Sequence, residues 1–254
     1  MKPAGHPAVN PAAIKAMVLA AGRGERMRPL TDQVPKPLLQ VAGQALIDWH
    51  ARALARGGFT ALVINTAWLG AQIQSHFSPD RRRDIDSLLS ISYSHEGADF
   101  GGALETAGGI ARALPLLGEA FWVLAGDVFV PGFEFTPAAV RRFLAGNKLA
   151  HLWLVPNPAH NPRGDFGLAP DGLALDLPAD DPAPRYTYST IGLYRRAFFD
   201  ALPTGNPQGT RAALAPLLRA AMARGQVSAE LYTGDWTDVG TPERLAELNR
   251  PLSP

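Results

Sequence analysis

From residue 15 onward the chain alternates short apolar runs with amphipathic stretches, and this strand-then-helix rhythm is the signature of a parallel sheet covered by helices. A strand is expected over 15–20. Leu46–Arg56 has helical spacing, with Leu46, Ile47, His50, Ala53 and Leu54 on one side and Gly57-Gly58 closing it. A strand over 61–65, a short helix over 69–77 and a strand over 88–93 follow. Between the last two, 78–87 is rich in Pro, Asp and Arg and reads as a loop, with Arg81, Arg82 and Arg83 facing water. A helix over 105–114 ends at Pro115, and the continuous apolar run 121–125 suits a buried parallel strand. Ligands of open α/β sheets gather beyond the carboxyl ends of the strands, so the loop after the first strand and Gly126-Asp127 after the fourth should share one crevice.

The rest of the chain is less regular. Strands are expected over 150–155 and 188–194, with turns at Pro170-Asp171-Gly172 and Asn206-Pro207. The stretch 210–224 places Leu214, Leu217, Leu218 and Ala221 on one helical face, and a last helix starts with Thr241 as N-cap and Pro242 behind it. The chain has 254 residues, 46% of them hydrophobic, enough for one substantial core, so 15–254 is read as a single domain with halves 15–147 and 148–254. A Pro-, Ala- and Gly-rich stretch, 1–14, precedes it as a loose extension and lacks the apolar run of a secretion signal.

With 24 basic against 23 acidic residues there is no overall positive field for nucleic acid or a membrane surface, and any phosphate chemistry must be local. No apolar run approaches the roughly 20 residues of a membrane helix. Cysteine is absent, which excludes thiol nucleophiles and thiolate metal sites and agrees with a cytoplasmic location.

The densest chemistry follows the first strand: Leu19-Ala20-Ala21-Gly22-Arg23-Gly24-Glu25-Arg26-Met27, continuing to Pro35-Lys36-Pro37-Leu38. Gly22 and Gly24 let backbone N–H groups approach an anion, and Arg23, Arg26 and Lys36 add positive charge. Met27 stands where a dinucleotide fingerprint needs its third Gly, and no Gly-Lys-Ser or Gly-Lys-Thr follows as a P-loop requires. The two prolines around Lys36 fix their own φ and bias the residue before each towards extended conformations, so its ammonium stands on a stiff stem. Taken singly, the glycines could form an ordinary turn with solvated arginines, and Lys36 an ordinary turn lysine. Asp127 after a buried strand and Asp238 in Trp236-Thr237-Asp238-Val239-Gly240 could each be a turn or capping residue. His50, His76, His95, His151 and His160 show no metal-binding spacing and read as structural or exposed; no Gly-x-Ser-x-Gly elbow is present; Trp49, Trp122 and Trp153 read as core.

The run 19–43 resembles the signature of the sugar-1-phosphate nucleotidylyltransferases, and the likeness extends over most of the chain. It implies a Rossmann-like, GT-A-like α/β fold, a mixed but mostly parallel sheet with helices on both faces. The first half would bind a nucleoside triphosphate and the second a sugar 1-phosphate, with magnesium as cofactor. By the same resemblance Arg26 would hold the departing β and γ phosphates, and Lys36 would contact the α phosphate and the incoming sugar phosphate. Leu19, Ala20, Ala21, Gly22, Arg23, Gly24 and Asp127 would line the nucleotide site, and Asp127 and Asp238 would be the magnesium carboxylates, a sufficient protein share for that ion.

Glu105-Thr106-Ala107-Gly108-Gly109 resembles the family's base-binding segment, often Gly-Thr-Ala-Gly-Ala, so Thr106, Gly108 and Gly109 become base-site candidates; without the family the segment is a small-residue helix start. Glu105 and Gly109 look more like the branch acting on N-acetylmuramic acid 1-phosphate with UTP, and Asn65-Thr66-Ala67-Trp68-Leu69 is similar to that branch too. Asn157 and Arg163-Gly164-Asp165-Phe166-Gly167 resemble the sugar-binding turn, with Asp165 the best candidate; the bland alternative is a surface hairpin. The family's Glu-Lys-Pro element is missing, and 184–190 takes its place, making Arg185, Ser189 and Thr190 substrate-site candidates. The implied reaction is uridylyl transfer from UTP to N-acetylmuramic acid α-1-phosphate by a monomer. The alternatives are a mannose-1-phosphate guanylyltransferase, a glucose-1-phosphate thymidylyl- or uridylyltransferase, and a non-catalytic nucleotide-sugar-binding subunit.

Overall fold

The protein is described here by a computed structural model covering residues 13–250; the expected loose extension lies, but for its last two residues, outside these. The first half runs β1 (Lys15–Leu19), β2 (Gln40–Val41), β3 (Gln44–Ala45), α1 (Leu46–Arg56), β4 (Ala61–Thr66), α2 (Gly70–His76), α3 (Pro79–Ile85), β5 (Ser90–His95), α4 (Glu96–Phe100), α5 (Glu105–Ala113), β6 (Ala120–Ala125), β7 (Val128–Phe129) and α6 (Pro137–Ala145). The second half adds β8 (Ala150–Val155), β9 (Phe166–Leu168), β10 (Ala174–Leu175), β11 (Arg185–Arg195), α7 (Leu214–Met222), β12 (Val227–Leu231), β13 (Thr237–Asp238) and α8 (Pro242–Leu248).

Strands β6, β1, β4 and β5 lie side by side and parallel, and β11 continues the sheet antiparallel to β6. Beyond it β11 pairs with both β8 and β9, so the second half extends the same sheet. Alternation along β1 decides the two faces. Ala16 and Val18 pack with Ile47, Ala51 and Leu54 of α1 and Val140 of α6, while Met17 packs with Ile110 of α5 and Leu218 of α7. Helices therefore cover both faces, as the sequence implied. In register, Leu19 faces Ala125 on β6 and Asn65 on β4, which brings three strand ends to one crest.

Several boundaries differ from those expected. Residues 79–85 are helical, because Ser78 caps the helix by accepting the Arg81 amide at 3.3 Å, with Pro79 behind it. Nor does Arg81 face water: it pairs with the Asp48 carboxylate of α1, which is fully buried and also 2.8 Å from His76 Nε2. The helix expected over 210–224 starts only at Leu214, since Ala212 is tied to α5 by bonds to Ala107 (2.9 Å), Gly108 (3.0 Å) and Leu104 (3.1 Å). Strand β11 starts at Arg185, held by its pairing with Gly167. Trp122 and Trp153 are core, whereas Trp49 is only partly buried, its edge against Phe129.

Candidate active site

The loop after β1 is shaped by its own side chains. Gly24 takes φ 67°, and the Thr31 hydroxyl donates to the Gly24 carbonyl at 2.8 Å, closing the turn. Met27, where a dinucleotide fingerprint would have glycine, is fully buried with Leu39, Val41, Leu46 and Val239, so the loop is pinned to the segment carrying Asp238. Burying such a side chain contributes about 1.5–3 kcal/mol.

Arg23 departs from its expected role. Its guanidinium stacks 3.9 Å over Trp68, donates to the Thr31 carbonyl at 2.8 Å and pairs with Asp32 at 2.5 Å. These bonds hold the Asp32 carboxyl below its usual value. Arg23 stiffens the loop and leaves little of its charge for a ligand. Ala20 spends its amide on Asn65 Oδ1 at 2.7 Å, whereas a Cβ at Gly22 would meet nothing within 4 Å. Arg26 is exposed and, among the described residues, has no ion-pair partner. It lines a small pocket with Gly24, Lys36 and Gly240.

Lys36 donates to the Asp127 carboxylate, and its side chain is 12% exposed. Asp238 is brought to the same place by backbone pairing: β13 runs antiparallel to β7, and the Val239 amide donates to the Asp127 carbonyl at 2.9 Å. The Asp238 carboxylate faces the Arg244 guanidinium at 2.5 Å and His160 Nε2 at 2.8 Å. Two carboxylates, Asp127 just before β7 and Asp238 on β13, each drawing a cation from the protein itself, are a hard oxygen donor set suited to a divalent ion completed by phosphate oxygens and water. No group of three or more metal-ligating side chains occurs among the described residues.

A cavity of about 280 Å³ follows the crest, bounded by Ala20, Gly22, Lys36, Thr106 and Asp127. Gly108 and Gly109 do not line it. The Gly108 amide is spent on Ala212, and a Cβ at Gly109 would lie 2.5 Å from Glu96 Oε1, so both glycines serve close packing. Glu105 is the informative residue: it starts α5 at φ 61°, a left-handed conformation costing a side-chain-bearing residue about 1–2 kcal/mol, at the position where the resembled segment often has glycine.

Behind this wall lies a network that sequence patterning did not single out. Glu96 is fully buried and accepts from Asn65 Nδ2 at 2.6 Å and the Leu104 amide at 2.7 Å. Burial pushes its carboxyl up. Through Asn65 it fixes Ala20, and through Leu104 the start of α5.

A second cavity, about 410 Å³, shares Leu19, Glu105, Thr106 and Ala125 with the first and continues to Asp165 and Thr190. Asp165 accepts from the Tyr188 amide at 2.8 Å and Asn161 Nδ2 at 3.2 Å, leaving lone pairs for a ligand. Thr190 has φ 68° at the bulge in β11, and its buried hydroxyl has no partner among the described residues. A strained β-branched residue with an unspent donor marks a functional wall.

The other candidates in this half do not reach the cavity. Asn157 is consumed by the start of β11, donating to the Arg185 carbonyl at 2.9 Å and accepting from Thr187 at 2.9 Å. The Arg185 guanidinium folds back onto the Pro178 carbonyl. Ser189 is buried and donates to the Trp153 carbonyl at 2.6 Å, bracing the bulge that presents Thr190.

The family model described as nucleotidyl transferase matches residues 15–253. The chain belongs to the nucleotidyl transferase family. Two relatives reinforce that family assignment. The N-acetylmuramate alpha-1-phosphate uridylyltransferase of Neisseria meningitidis is 49% identical over 92% of this chain and 96% of its own. The protein of the same name from Caulobacter vibrioides is 32% identical over 91% of this chain and 97% of its own. Among solved structures, a putative glucose-1-phosphate thymidylyltransferase from Bacillus anthracis superposes with TM-score 0.74, covering 93% of this chain and 94% of that one at 20% identity, which shows a shared fold. The mixed sheet described above is thus that of a nucleotidyltransferase, as the resemblance of 19–43 implied.

Proposed function

We propose that this nucleotidyltransferase transfers a uridylyl group from UTP to N-acetylmuramic acid α-1-phosphate, releasing pyrophosphate. The reading is carried by two adjoining cavities that share Leu19, Glu105, Thr106 and Ala125, the first bounded by the glycine-rich loop, Lys36 and Asp127 and the second by Asp165 and Thr190. The names of the two full-length relatives supply the substrates.

A phosphate oxygen of the sugar phosphate attacks the α phosphorus, forming one P–O bond while the bond to the bridging oxygen breaks and its electrons leave with pyrophosphate. No side-chain nucleophile is required. The exposed backbone at Gly22 and the free guanidinium of Arg26 receive the β and γ phosphates. Lys36 spends one of its three N–H donors on Asp127 and has two for the α phosphate and the incoming phosphate. Holding both anions in line removes much of the entropic barrier, and the cationic groups offset charge growing on the bridging oxygen. A magnesium ion held by Asp127 and Asp238 would, when bound, neutralise the triphosphate and polarise the reacting phosphoryl group. Thr106 and the backbone of Ala20 and Ala21 face the base, and Asp165 and Thr190 face the sugar. No helix among the described residues is long and apolar enough to cross a membrane, and a cytoplasmic monomer acting on small molecules is the setting we infer.

Pyrophosphate release is the deciding assay, with UTP, GTP and dTTP each crossed with N-acetylmuramic acid, mannose and glucose 1-phosphates, with magnesium and with EDTA. UTP with the N-acetylmuramic acid ester is expected to dominate, and only with magnesium. A preference for GTP with mannose 1-phosphate, or for a glucose 1-phosphate, would replace the proposed substrates. Nucleotide-sugar binding without any turnover would point to a non-catalytic subunit.

A further inference from the structure

The second cavity carries one basic side chain among its lining residues, Arg219, and the reaction as described makes no use of it. Arg219 lies on α7, one turn beyond Ala215, and both line this cavity. Its guanidinium is oriented from behind. Nη1 lies 3.3 Å from Asp176 Oδ1, and the guanidinium carbon is 6.0 Å from the Phe166 ring centre. Asp176 takes one nitrogen, and among the described residues Nε and Nη2 have no protein acceptor. The side chain is 53% exposed, so an anion can reach it from the cavity. The same wall holds the first turn of α7, whose N-cap, Ala213, offers no side-chain acceptor; the Leu214 and Ala215 amides sit at the positive end of the helix.

Besides the carboxylates of Glu105 and Asp165, this cavity presents a guanidinium that is unexplained by a neutral hexose, whose one charged group, its phosphate, belongs at Lys36. N-acetylmuramic acid has a second charge: it is N-acetylglucosamine with a lactyl ether on O3 that ends in a carboxylate. We propose that Arg219, with the first turn of α7, receives this carboxylate and is the specificity-determining residue of the sugar site. The inference rests on the substrate proposed above. Arg219 contacts the sugar far from the reacting phosphorus, so it contributes equally to ground state and transition state and acts on KM.

The test measures kcat and KM with UTP for N-acetylmuramic acid 1-phosphate and N-acetylglucosamine 1-phosphate, in wild type, Arg219→Gln and Arg219→Lys, with Tm recorded for each. In Arg219→Gln, kcat/KM for the acidic sugar is expected to fall roughly 10- to 100-fold, mostly in KM, with N-acetylglucosamine 1-phosphate unchanged. Arg219→Lys, which keeps the charge, retains part of the preference. Equal losses for both sugars, or no loss for either, would overturn the assignment while leaving the reaction intact. A wild-type enzyme that does not prefer the acidic sugar would instead defeat the substrate reading, and this inference with it.

Discussion

Lys36 and Asp127 hold each other in the protein alone, and neither is fully buried, so replacing one strands no deeply desolvated charge. Lys36→Ala and Asp127→Asn are therefore expected to fold with near wild-type circular dichroism and Tm. Each is expected to lose about a hundredfold in kcat, near 3 kcal/mol of transition-state stabilisation, in a pyrophosphate-release assay. Another residue-scale effect is on stability. Burial pushes His50 down from 6.5 to about 4. As pH falls below 6.5 the unfolded chain takes up a proton that the folded chain refuses until about 4, so stability declines across that window by roughly 3 kcal/mol. Urea unfolding between pH 7 and pH 4.5 should show this slope, and His50→Gln should show a shallower one whatever its own stability.

At the scale of elements, glycines that look alike in sequence do different work. A Cβ at Gly109 would lie 2.5 Å from Glu96 Oε1 and 3.0 Å from Asn65 Nδ2, in the network that fixes Ala20. Gly109→Ala is expected to destabilise by about 1–3 kcal/mol, read as a lower urea midpoint, and to raise KM for UTP. At Gly22 a Cβ meets nothing, so Gly22→Ala should keep its Tm and still raise KM for UTP by intruding on the cavity. The segment 105–109 was legible as the start of a helix beside the first cavity, but not as a left-handed Glu105 backed by buried Glu96. No local pattern distinguishes a glycine facing a ligand from one facing a neighbouring carboxylate. The helix over 79–85 was missed for a different reason: its cap is local, Ser78 accepting the Arg81 amide with Pro79 behind it, but the Pro, Asp and Arg content was read as a loop, and only the buried Asp48 partner of Arg81 comes from another part of the chain.

For the whole molecule, the site is a product of sheet register and of the return of the chain through β13. Nucleotide binding to the folded state alone raises stability by mass action, about 2.7 kcal/mol at a hundred times Kd. UTP with magnesium is thus expected to raise Tm by several degrees, GTP much less, and EDTA to remove most of the UTP effect; equal shifts with UTP and GTP would contradict the proposed base preference. The sequence by itself determined the parallel strands, the glycine-rich loop after the first of them, and the membership of Lys36 and Asp127 in one crevice, because strand order and local turn chemistry are written in short-range patterns. Only the tertiary structure decided that Arg23 is spent on Trp68 and Asp32, that Arg185 turns onto the Pro178 carbonyl and away from the second cavity, and that Arg219 lines that cavity. The direction of a long side chain is set by whichever partner lies within reach, and those partners come from segments that meet only once the sheet has closed.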